Sequence, residues 1–137
     1  MGQLNGLGEI NVINVKDSLN VPSDMFVVTE KYYNANKPLL RRFLTAYRDS
    51  AAWMIAEPEE AAKLAIDRAI NGRDEAINLE IIKIRNISAQ SETTDRLGLG
   101  HFDVDVLQQG ADAYLTHGLV DARLDMSQFI KSDLIPE

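Results

Sequence analysis

The chain has 137 residues, a length that suits one domain and lets roughly two thirds of the unfolded surface become buried. Hydrophobic residues at 45% and charged residues at 26% set aside a disordered chain or a coiled coil. The formal net charge of -7 speaks against a nucleic-acid partner, and the lack of cysteine removes disulfides, thiolate metal sites and thiol nucleophiles.

In chain order, "EINVINV" (9–15) alternates β-branched and polar residues, the pattern of a strand with one buried face. "KDSLNVPSD" then reads as a connection, because Asp, Ser, Asn and Pro bond to local backbone or fix φ. "MFVVTEKYY" (25–33) suits a second buried strand running into a helical turn near Glu30. Pro38 is tolerated in a first helical turn, where its missing N–H costs nothing, so a helix is expected over about 37–56. Leu40, Phe43, Leu44, Tyr47, Ala51 and Met54 would form its inward face.

Pro58 restarts the chain by the same rule, with Glu59 and Glu60 at the positive end of the helix dipole. This second helix, over 58–71, would bury Ala62, Ala65, Ile66 and Ala69 and stop at Asn71-Gly72. A third helix is expected over 74–88 with Ile77, Ile81, Ile84 and Ile87 on one side, a strand being the rival reading of the same alternation. "SAQSETTDRLGLGH" reads as an exposed connection. A fourth helix over 103–117 would bury Leu107, Ala111, Tyr114 and Leu115 and end at Gly118, and Asp125 with Gln128 has capping-box spacing for a short helix over 125–131. The expected class is α+β and mostly helical, with four to five helices after a two-strand segment within about 9–33, in one domain over 1–137.

The residues offer little chemistry. His101, Asp103 and Asp105 imitate a metal-ligand run, but Asp103 stands where a helix N-cap belongs, and alternate residues do not share a helix face. His117, beside Gly118, reads as a helix terminus, and Gly98-Leu99-Gly100 as a turn. Trp53 and tyrosines 32, 33, 47 and 114 read as core, while Lys37, Arg41 and Arg42 form a small basic cluster on a solvated face. No catalytic residue, metal site or cofactor is indicated.

"MFVVTEKYYNANKPLLRRFLTAYRDSAAWMIAEPEEAAKLAI" resembles the carboxy-terminal part of the substrate-binding proteins of ABC importers for nitrate, sulfonates and taurine, a family that includes binders of thiamine pyrimidine precursors. The phrase from Ala56 to Ala62 matches that family's start of a small-residue helix. "DVDVLQQGADAYLTHGLVDARLDMSQFI" is similar to its closing phrase, so the likeness spans about residues 25–135. It implies the C-terminal part of a type II periplasmic-binding-protein fold, two α/β lobes that close on a solute, with these helices completing the first lobe. Members are about twice this length, so the chain is expected to be fragment-like, with Met1 near the exit from the second lobe.

The resemblance implies non-catalytic capture of a small, anionic solute such as a sulfonate, taurine, nitrate or a pyrimidine precursor, and delivery to an ABC permease. The parent would be periplasmic or extracytoplasmic. The chain as written lacks a secretory signal in "MGQLNGLGEINVINV" and would be cytoplasmic. Asn20, Ser23 and Asp24 lie nearest the lobe crossover and are the candidate ligand contacts, although short polar groups also serve turn backbone and Asp24 would repel an anion. A self-associating or protein-interaction module, with a homo-oligomer as partner, is the alternative. An enzyme ranks last, because the fungal pyrimidine synthases that share the fold rely on a lysine and a histidine in an amino-terminal portion that this chain lacks.

Overall fold

A computed structural model of the chain describes residues 11, 13, 15–22, 24–70 and 74–135. Among the described residues there are five α-helices and no strand: α1 (Glu30–Ala56), α2 (Pro58–Asp67), α3 (Glu75–Ala89), α4 (Glu92–Leu97) and α5 (Val104–Thr116). Single 3-10 turns lie at Val15–Asp17 and Met126–Gln128. The mostly helical class is as expected from sequence. Most of the first expected strand, over 9–15, lies outside the described residues.

The second expected strand is not formed. Residues 25–29 have no regular structure, and from Glu30 onward the chain is helical. Thr29 decides this locally: its side chain accepts from the Tyr32 N–H as an N-cap, and Glu30 sits at the positive end of the dipole. Pro38 therefore lies inside α1 instead of opening it. Its effect appears two residues earlier, where Asn36 leaves helical geometry (φ -130, ψ 22) and kinks the helix. The Asn36 side-chain amide then donates to the Tyr32 carbonyl at 3.0 Å, serving an acceptor at the kink.

α1 and α2 are separated by Glu57 alone, and both pack on α3. Ala61, Ala62 and Ile82 are buried together, with Met54 and Leu79 against them. Ala62 is 1% exposed, which allows the close approach of α2 and α3. Ala65 and Ala69 are exposed, and α2 stops at Asp67, before the Asn71-Gly72 expected to end it, a pair outside the described residues.

α3 is a helix, with Asp74 as its cap accepting from the N–H groups of Ala76 and Ile77. Its buried face is Asn78, Ile82 and Asn86, while Ile77, Ile84 and Ile87 are exposed. The rotation away from the isoleucines has a specific cause. Met54 lies four residues before Pro58, which has no N–H to give its carbonyl, and the Asn86 Nδ2 donates to that carbonyl at 2.9 Å.

α4 occupies what read as a loop. Its polar sequence carries no apolar stripe, but Ser91 and Thr94 form a reciprocal capping box. Gly98 ends it at φ +91, in the half of backbone space that favours glycine. α5 is capped by Asp103, which accepts from Asp105 and Val106, and ends with Gly118 at φ +68. The short helix expected over 125–131 is a 3-10 turn in which the Asp125 carboxylate takes Ser127 and Gln128 side-chain donors.

Gln108 ties that turn to α5. Its amide donates to the Leu124 carbonyl at 2.9 Å and its oxygen accepts from the Met126 N–H at 3.0 Å. Asp112 accepts from both Gln108 and Arg123. The tail beyond returns to α1, where Leu134 is 4% exposed.

Candidate functional site

Two recesses open on the described surface. The first begins with the 3-10 turn, whose Val15 carbonyl accepts from the N–H groups of Ser18 and Leu19. This folds the chain so that Val21 reaches α5 at Gly110. A β-carbon on Gly110 would lie 3.1 Å from a Val21 methyl, so glycine is what lets the segment lie this close. Ser18, Leu19 and Asn20 then line a recess of about 200 Å³ with Glu92 and Thr93 of α4 and Val106 and Gln109 of α5.

Of the three residues singled out from sequence, the structure brings Asn20 into this recess. Ser23 lies outside the described residues, and Asp24 is exposed and does not line it. The other polar groups, Ser18, Thr93, Gln109 and Glu92, were absent from the sequence reading because they come from three separated segments. Together they offer hydroxyl and amide donors and acceptors beside one carboxylate. A neutral hydrogen-bonding solute fits that set better than an anion does.

The second recess, about 290 Å³, lies where the tail meets α1 and is lined by Lys37, Pro38, Arg41, Arg42 and Leu134. Tyr33, Lys37 and Arg41 are spaced four residues apart along α1 and turn toward Asp133. The Tyr33 hydroxyl and the Lys37 ammonium both donate to its carboxylate, the latter at 3.0 Å, and Arg41 donates to its carbonyl at 2.8 Å. The Lys37 ammonium also lies over the Tyr33 ring, 4.6 Å from its centroid. The Tyr33 hydroxyl and then Lys37 hold the Asp133 carboxyl below its ordinary value, and Asp133 in turn raises both of theirs. The basic cluster is thus partly a tether for the tail and not only a solvated face.

The metal-like run is otherwise occupied. Asp103 takes two backbone N–H groups and pairs with Arg96, so the Val106 N–H first, with help from Arg96, holds its carboxyl low. Among the described residues no three His, Asp or Glu side chains gather as a metal site. His117 acts as a C-cap through its backbone N–H, which donates to the carbonyls of Ala113 and Leu115.

The aromatic residues split. Tyr33 is buried, whereas Tyr32, Tyr47, Trp53 and Tyr114 are exposed, contrary to the core role read from their spacing. Phe26 stands edge-on to Phe43 and Tyr47, with centroids at 5.0 and 4.8 Å, and all three are about half exposed. Helical spacing put Phe43 and Tyr47 on one face, but no described element covers that face.

Residues 2–61 match the family described as NMT1/THI5 like. The chain is also similar to a protein named riboflavin-binding protein RibY from Chloroflexus aurantiacus, at 26% identity over 98% of this chain. It spans 39% of the length of that relative. No solved structure matches the chain.

Proposed function

Taking as premise that the chain resembles part of an NMT1/THI5-like substrate-binding protein, we propose that it is a portion of the solute-binding component of an ABC importer. The carrying observation is the extent of the likeness: nearly all of this chain aligns with a minority of a relative whose name is that of a solute binder. Its role is non-catalytic capture, with Asn20 and the polar recess around it supplying one wall of a solute cleft. Glu92 in that wall favours a neutral, hydrogen-bonding solute, such as a flavin or a pyrimidine precursor, over nitrate or a sulfonate. The permease and an extracytoplasmic setting belong to the longer protein. No helix among the described residues is long and apolar enough to cross a membrane.

One wall gives few contacts, so the chain alone should bind riboflavin, a thiamine pyrimidine precursor or taurine more weakly than about 1 mM. Flavin fluorescence and calorimetry measure this, and a tighter constant would sink the one-wall reading. The DNA upstream of Met1 gives a separate check. An in-frame continuation encoding the remainder of a relative's length is the expected finding, and a stop codon directly upstream counts against it.

The exposed Phe26, Phe43 and Tyr47 favour a second reading, in which this chain by itself associates through that face.

A further inference from the structure

The tail recess gathers positive charge in a chain whose formal net charge is -7. Lys37, Arg41 and Arg42 line it, and Asp133 is the carboxylate that Lys37 meets there. Lys37 is committed to Asp133, and Arg41 gives one N–H to the Asp133 carbonyl, which leaves other donors of a five-donor guanidinium for use elsewhere. The Arg42 side chain has no ion pair or hydrogen bond among the described residues. Leu134, almost fully buried, forms an apolar wall.

We propose that this recess binds a small tetrahedral oxyanion of the sulfate or phosphate type. Arg41 and Arg42 grip its oxygens, while Lys37 stays paired with Asp133. Guanidinium groups suit such an ion because their planar forks give two parallel N–H donors to neighbouring oxygens. The open recess has room for such an ion: about 290 Å³, against roughly 10–15 Å³ on the same measure to hold one water molecule. Asp133 keeps its place, since the ion lies beside the tail and does not replace it. The site shares no lining residue with the recess at Asn20, so it stands whether or not that recess receives a solute.

Calorimetric titration with sodium sulfate, and separately with sodium phosphate, at neutral pH and constant ionic strength set with sodium chloride tests this. Saturable binding heat is the readout, because sulfate raises the thermal stability of many proteins simply by exclusion from their surfaces. The expected result is one saturable site that Arg42→Gln weakens about tenfold and Asn20→Ala leaves unchanged. Arg42 lies on the surface of α1, so its replacement leaves the core intact. Heat indistinguishable from that of chloride for both ions, or unchanged affinity in Arg42→Gln, would overturn the assignment.

Discussion

Asn86 shows how one side chain can set the packing of three helices. Its amide answers a carbonyl that Pro58 cannot, and its own Oδ1 has no hydrogen-bond partner among the described residues. Asn86→Ala should destabilise the chain by about 1–3 kcal/mol, because the Met54 carbonyl is left unmet in a partly buried place. Alanine's better helix propensity returns only about 0.7 kcal/mol at most, so the loss dominates. Urea unfolding would measure it, and a variant as stable as the parent would contradict the pairing. At Asp133 the sign of the pH dependence can be worked out. Its carboxyl is held low in the folded chain, so its contribution is complete above the ordinary aspartate range near 4 and is lost as pH falls through the lowered value. Lys37 and Tyr33 are raised, so theirs is complete below their ordinary values near 10 and is lost as pH rises through the raised ones. Protease resistance of residues 129–135 should therefore hold across the middle of the pH scale and fall at both ends. In Asp133→Asn the acid limb should vanish.

For the helices, end signals carried more than stripes did. Pro58, Asp74, Asp103 and Gly118 bound helices as their chemistry predicts, because a cap is satisfied within three or four residues. The Ser91 box was equally local but uses Thr94 where Glu or Gln is usual, so α4 passed for a loop. Asp103→Ala should lower the melting temperature measurably by removing the acceptor for two N–H groups and the partner of Arg96. Asp103→Asn keeps an acceptor and should lose less, with thermal unfolding of the pair as the measurement. Equal losses would mean that the ion pair, and not the cap, is what matters.

Across the whole molecule, the unusual feature is how little is sealed. No large side chain among the described residues is fully buried, and the aromatic face of α1 with Phe26 is open. A chain built as part of a larger fold would leave such a face, and it should act on its own as an adhesive surface. An apolar dye should bind the chain, and sedimentation should show association that grows with concentration. Phe43→Glu should reduce both, since it places a charge among half-exposed rings. A monomer at all concentrations with no dye signal would refute the second reading.

Helical content, the capped ends and the likeness to a substrate-binding family were legible in the sequence, because periodicity and caps depend on residues three or four positions apart. Asn20 could be nominated from its place before the helices, but its recess could not, since Glu92, Thr93 and Gln109 arrive from α4 and α5. The tertiary structure alone decided that α3 turns Asn78 and Asn86 inward and that Tyr33 meets a carboxylate 100 residues away. These outcomes rest on hydrogen-bond partners and packing surfaces brought together only when distant segments meet, and a one-dimensional pattern does not encode that meeting.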